Sequence, residues 1–125
     1  MPSSLTLQRS LQDGVAVITV DGFLDAHTAP QFEEAIQREI ADGHVKLVVD
    51  CARLSYISSA GLGVFMGFIE EVREQQGDIK VSGLTPKVRQ VFEILGFETI
   101  FELFDTVQAA RDRFAAGNES PKEAR

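Results

Sequence analysis

Apolar positions along this chain alternate between two periods. Short strand-like runs are separated by longer segments whose apolar residues return every three or four positions. Leu5-Thr6-Leu7-Gln8 is a weak first strand, and Asp13-Gly14 supplies a turn joining it as a hairpin to Val15-Ala16-Val17-Ile18-Thr19-Val20. This second run is almost wholly apolar, as expected of a strand covered on both faces. Lys46-Leu47-Val48-Val49-Asp50 reads the same way and ends in an acid. Shorter strands are predicted at Ile79-Lys80-Val81 and around Thr99 to Phe101.

Four amphipathic segments lie between and after these runs. In the first, Thr28 with Gln31 forms a capping box, Pro30 is tolerated in the opening turn, and Phe32, Ile36 and Ile40 stack on one face up to Gly43. The second runs from about Ser59 to Gln76 with Leu62, Phe65, Met66, Ile69 and Val72 inward, before a turn at Gly77-Asp78. The third opens at Thr85-Pro86, turns Val88, Val91, Phe92 and Leu95 inward, and stops at Gly96. The last is capped by Asp105 with Gln108 and carries Val107, Ala110 and Phe114. The order ββαβαβαβα predicts an α/β fold, a mostly parallel sheet of four to five strands covered by about four helices through right-handed crossovers. Residues 1–116 form one domain, and the polar, patternless residues 117–125 are expected to be a mobile tail.

Charge narrows the function. A formal net charge of −7 lacks the basic footprint that nucleic acid or an anionic membrane requires. Cys51 is the single cysteine, so no disulfide forms within the chain. Met1-Pro2-Ser3-Ser4 has neither a charged n-region nor an apolar h-region, and no apolar run approaches the ~18 residues of a membrane span. A cytoplasmic location is expected.

One passage departs from what stability alone would select. In Leu54-Ser55-Tyr56-Ile57-Ser58-Ser59-Ala60-Gly61-Leu62-Gly63, two serines stand where a loop becomes a helix, and two glycines follow in the first turn. Glycine within a helix costs about 1 kcal/mol relative to alanine, but it bares the backbone to close approach. The first amides of a helix lack internal partners and carry the positive end of its dipole, so a phosphate on Ser58 or Ser59 could be held there. Such a phosphate adds about −1.5 to −2 charges to a docking surface. A plain N-cap serine, with glycines serving tight helix–sheet packing, accounts for the same residues.

This passage resembles the signature loop of the STAS family, named for sulfate transporters and anti-sigma factor antagonists. Gly22-Phe23-Leu24-Asp25 with Thr28, Val81-Ser82-Gly83-Leu84 and Phe92-Glu93-Ile94-Leu95-Gly96-Phe97 resemble further segments of that family, so the similarity runs from about Leu5 to Phe114. The resemblance implies a STAS-like fold and a non-enzymatic anti-sigma factor antagonist with no cofactor. It implies that the unphosphorylated form binds an anti-sigma factor that is also a serine kinase of histidine-kinase-like ATPase fold. Phosphorylation releases that partner, and a metal-dependent serine phosphatase restores binding, which regulates sigma-factor-dependent transcription. The acceptor corresponds to Ser59. The well-known form of the motif has Asp then two serines before the glycine; Ser58 stands here at the Asp position and Ala60 at the second serine, which leaves Ser58 as an alternative acceptor. The implied partner surface comprises Asp25, Thr28, Ser58, Ser59, Ala60, Gly61, Leu62 and Gly63. Phe68 joins it as a candidate aromatic anchor, with core packing against a neighbouring helix as its other reading.

Other chemistries fit less well. Ser59, His27 and Asp25 are the residue types of a hydrolytic triad, but no Gly-x-Ser-x-Gly elbow exists. Asp50 ends its predicted strand as a receiver-domain phosphoacceptor would, yet Val17-Ile18-Thr19-Val20-Asp21-Gly22 offers one acid where magnesium needs a pair. His27 and His44 are too far apart for a metal pair, Cys51 is expected to be a buried inert thiol, and no metal site is predicted. Within the family, a non-sigma phospho-switch circuit or a small-ligand-binding domain is the alternative.

Overall fold

The computed structural model describes residues 4–117, so the expected tail beyond Gly117 lies outside the described residues. Strands β1 (Leu5–Gln12), β2 (Val15–Leu24), β3 (Lys46–Ile57), β4 (Asp78–Ser82) and β5 (Leu103–Phe104) form one sheet in the order β1-β2-β3-β4-β5. The β1–β2 hairpin is antiparallel and every other pairing is parallel. Helices α1 (Ala29–Ala41), α2 (Ser59–Glu74), α3 (Pro86–Ile94) and α4 (Val107–Ala116) complete the predicted order.

Strand parity sorts the helices between the two faces of the sheet. Ala16, Ile18 and Val20 of β2 point into the larger core with Phe32 and Ile36 of α1, Leu62 and Phe65 of α2, and Val88 and Phe92 of α3. Val15, Val17 and Val48 point the other way, onto Ala110 and Phe114 of α4. Phe65 anchors the larger core, with ring centroids 5.2 Å from Phe32, 5.8 Å from Phe92 and 5.7 Å from Phe101.

Several local expectations give way to tertiary contacts. Met66 and Leu95, expected inward, are exposed. The segment around Thr99 to Phe101 is not a strand: a 3-10 turn spans Phe97–Thr99, and the strand follows at Leu103–Phe104. Phe101 is drawn wholly into the core against Phe65 and Phe97, and Arg73 binds the carbonyl of Ile100. Neither predicted capping box with Gln forms. Thr106 caps α4 by accepting from the Ala109 N–H at 3.1 Å, while Gln108 donates to Asp112. Gln31 donates to the Leu5 carbonyl at 2.9 Å, tying α1 to β1.

Two buried ionic clusters went unpredicted. Lys80, on β4, is buried between Asp78 and Glu102 and lies 4.5 Å over the Phe114 ring. Glu39 of α1 is buried as well. It accepts from Arg9 through both carboxylate oxygens and lies 2.8 Å from His44 Nδ1.

Burial alone would raise the Glu39 carboxyl pKa, but the hydrogen bonds from Arg9 and His44, with their charges, outweigh it and hold the group below the ordinary 4.5. A carboxyl with a depressed folded pKa stabilises the fold above its unfolded value and loses that contribution as pH falls through the folded one. Unfolding curves collected from about pH 7 down to about pH 3 therefore give Glu39→Gln a shallower acid limb than the parent chain, the two separating below about pH 4.5.

Candidate functional site

The serine-glycine passage lies where the C-terminal ends of β2 and β3 meet the start of α2. Leu24 and Ile57 are register partners at the ends of these strands, and the Ser58 N–H donates to the Leu24 carbonyl at 2.9 Å. Ser58 is the extended N-cap residue, and its carbonyl accepts the Leu62 N–H at 3.0 Å to start the helix. Its hydroxyl makes no capping bond; it is sealed from solvent and has no partner among the described residues. Ser59, one residue on, is exposed on the opening turn of α2.

The two glycines do different work. A Cβ on Gly61 would stand 2.7 Å from Leu24 Cγ and 3.0 Å from both Ile57 Cγ1 and the Leu24 carbonyl oxygen. No larger residue lets the helix start sit this close to the strand ends. A Cβ on Gly63 meets nothing within 4 Å, so this glycine packs against nothing and leaves helix backbone open on the surface.

The β2–α1 loop lies beside this turn, joined to it through Leu24. Asp25 Oδ1 accepts the backbone N–H groups of His27 and Thr28 at 3.0 and 3.2 Å. The Thr28 hydroxyl donates to the Phe23 carbonyl at 2.8 Å and accepts from the Asp25 N–H at 3.0 Å. Asp25 and Thr28 thus hold the loop in shape, and Thr28 is buried. Gly61 and Leu62 are buried too, and Ala60 is half-buried. Phe68 is buried, which corrects its reading as an exposed anchor; with Val64, Gly67 and Ala60 it lines one side of an α1–α2 groove of about 410 Å³.

Other candidates separate from the site. Asp50 lies within β3, in register with Thr19 and Ser82, because the strand runs on to Ile57. Its Oδ1 accepts the Ala52 N–H at 3.1 Å. Cys51 is buried, and burial, with the Asp50 charge second, pushes its thiol well above the ordinary range. Among the described residues no helix is long and apolar enough to cross a membrane, and no cluster of His, Cys, Asp or Glu could hold a metal ion.

Phe23 and Tyr56, which have no site role in the sequence pattern, form an exposed pair at these strand ends. They are register partners on β2 and β3, 46% and 44% exposed, with ring centroids 6.0 Å apart. A strand pattern that stops at Val20 and Asp50 leaves both in loops, whereas β2 runs on to Leu24 and β3 to Ile57. Counting strand parity back from the apolar Leu24 and Ile57 would have placed both rings on the side away from the core.

Substituting the glycines separates their roles. Gly61→Ala forces the helix start off Leu24 and destabilises by about 1–3 kcal/mol, in the range of an overpacked core. Gly63→Ala is accommodated and stabilises by up to about 1 kcal/mol through helix propensity. Urea unfolding of the two variants gives midpoint shifts of opposite sign.

Comparison with known proteins agrees with this geometry. The STAS domain family model matches residues 7–110. The candidate anti-sigma factor antagonist BtrV of Bordetella bronchiseptica is 36% identical over 102 residues, 82% of this chain and 88% of that protein. The anti-sigma-B factor antagonist of Listeria monocytogenes is 36% identical over 86 residues, covering 69% of this chain and 75% of its own. SpoIIAA of Bacillus in its phosphorylated form aligns with a TM-score of 0.67 at 26% identity, over 88% of this chain and 98% of SpoIIAA. Its unphosphorylated form aligns with a TM-score of 0.69 at 23% identity, over 91% and 99% of the two chains, a likeness of fold. With this match along most of its length and the signature turn built from Leu24, Ile57, Ser58 and Gly61, the chain belongs to the STAS domain family.

Proposed function

We propose that this protein is an anti-sigma factor antagonist switched by phosphorylation of Ser59. The observation that carries the reading is the placement of Ser59: exposed on the first turn of α2, at the end of a rigid strand pair, beside open helix backbone at Gly63. Anti-sigma factor antagonists among its relatives, and a phosphorylated form of SpoIIAA, support the same reading.

Unphosphorylated, the protein holds an anti-sigma factor that is also a serine kinase of histidine-kinase-like ATPase fold, and so frees a sigma factor for transcription. The partner covers the Ser59 turn and the neighbouring loop of Asp25 and Thr28, with Ala60 and Gly63 within the contact and Gly61 and Leu62 shaping it from beneath. Phosphate on Ser59 releases the partner, and a metal-dependent phosphatase resets the switch. The protein contributes a surface and an acceptor hydroxyl in the cytoplasm, and performs no chemistry of its own.

Geometry favours Ser59 over Ser58 as the acceptor. The Ser58 hydroxyl is sealed, and its backbone N–H and carbonyl are committed to Leu24 and Leu62, so a kinase would have to open the helix start to reach it. A phosphate on Ser59 projects into solvent at the positive end of α2 and leaves those bonds intact.

Incubating the chain with the anti-sigma factor kinase of its host and ATP, then mapping the site by mass spectrometry, tests the assignment. Ser59→Ala takes up no phosphate and keeps partner binding, and Ser59→Asp binds at least ~10-fold more weakly, in proportion to a charge placed in an interface. Phosphate appearing on Ser58 in the Ser59→Ala protein overturns the assignment.

A further inference from the structure

The groove between α1 and α2 has an apolar floor and one wall of almost bare backbone. Ala29, Val64 and Phe68 form the floor, and Glu33 and Gln37 stand on the α1 wall. The α2 wall is Ala60, Gly63 and Gly67, about one turn apart along the helix. Gly63 adjoins the Ser59 turn, but Gly67 lies in the middle of α2, eight residues beyond Ser59. A Cβ on Gly67 meets nothing within 4 Å, so the packing of α2 does not call for glycine there. Glycine is the poorest helix former after proline. What it leaves at this position is open backbone beside the floor, which another element can approach closely.

Charge selects the occupant. Helices α1 and α2 carry one arginine each. Arg38 pairs with Glu34 at 3.7 Å and lines the cavity on the β1 side of α1, and Arg73 pairs with Asp78 at 2.9 Å. No lysine or arginine lines the groove. Glu33 on the α1 wall is exposed, and so is Glu71, four residues past Gly67 and on the same side of α2. Together with Glu70 and Glu74, they have no ion-pair partner among the described residues. The rim is therefore uncompensated negative charge above an apolar floor. A second copy meeting the groove face to face would set the same acids against each other, in a chain of net charge −7. An extended strand finds no edge to pair with, because both walls are helices whose backbone bonds are closed. A helix with an apolar stripe between basic flanks matches both the shape and the charge.

We propose that the α1–α2 groove is a docking site for a basic amphipathic helix of a partner protein. Apolar side chains of that helix pack over Val64 and Phe68, its backbone lies against Gly63 and Gly67, and its lysines or arginines meet Glu33 and Glu71. The groove opens beside Ser59, because Ala60 on its wall follows Ser59 directly. The inference nonetheless rests on the form and charge of the groove and not on the phospho-switch. Exposed ion pairs contribute little singly and are screened beyond about 10 Å at 0.1 M salt. The apolar seat thus holds the helix, and the acidic rim selects its sign.

The test titrates the full chain into two labelled model helices of about five turns with the same leucine stripe, one flanked by lysine and the other by glutamate. Fluorescence anisotropy at about 50 mM salt reads binding, and amide NMR shifts of the chain locate it. The parent chain binds the lysine helix and not the glutamate helix, with shifts confined to residues 26–37 and 60–71. Gly67→Leu puts a side chain into the open space and favours the helix, and thermal unfolding checks that it is folded. It weakens binding at least ~10-fold, and Glu33→Gln combined with Glu71→Gln weakens it at least ~3-fold. A folded Gly67→Leu chain that binds as tightly as the parent overturns the groove as the seat. Failure of the lysine helix to bind, equal binding of both helices, or shifts spread over the whole acidic surface overturns the docking site. Groove shifts that grow with the concentration of the chain alone assign the groove to a second copy and overturn the proposal as well.

Discussion

The position of everything functional in this molecule depends on how closely the start of α2 approaches the ends of β2 and β3. A Cβ at Gly61 would stand 2.7 Å from Leu24 Cγ, so one missing methyl group sets the separation of helix and strands. The Ser58 N–H then reaches the Leu24 carbonyl, and the next residue, Ser59, begins the helix facing solvent. The same contact joins the β2–α1 loop to the turn, because Leu24 immediately precedes Asp25. Its neighbour Phe23, on the opposite parity of the strand, is carried outward to meet Tyr56. One close approach therefore places the Ser59 hydroxyl and the flanking loop side by side, with the aromatic pair turned to the opposite face of the strand ends.

The far end of α2 is held by a different force. Arg73, in its last turn, pairs with the buried Asp78 at 2.9 Å and donates to the Ile100 carbonyl. Asp78 also binds Lys80, which in turn meets Glu102. Removing one member of such a buried set strands the others without compensation, which is commonly worth about 3–5 kcal/mol. Between its two ends the helix packs Phe65 among three other phenylalanines. A helix fixed at both ends and along its inner face is a rigid support for a surface signal.

Most of the architecture was legible in the sequence because apolar period and turn residues point the same way. The hairpin at Asp13-Gly14, the crossovers and the proline-led start of α3 all follow from local chemistry, and the structure places each where the pattern did. Misreadings arose where a distant residue decides the outcome. Gln31 has the right spacing for a capping box, but the Leu5 carbonyl, 26 residues away, takes its amide. Phe101 reads as a strand residue until Phe65 and Phe97 are present to receive it. Glu39 and Lys80 look like surface charges, because Arg9 and Glu102, which permit their burial, lie 30 and 22 residues off. At the site, sequence located the serine turn at the start of α2 but could not tell the packed Gly61 from the open Gly63, since that distinction depends on how closely Leu24 and Ile57 approach.

This packing limits how the phosphate proposed for Ser59 would act. A signal that moved α2 would have to break the contact at Gly61 or pull Arg73 from Asp78, and neither lies on the solvent side where Ser59 stands. Under the proposed switch, the readout then lies in what the surface binds. In that switch a domain this small needs no second conformation, because a phosphate on the exposed Ser59 changes the charge of the surface and not the packing beneath it.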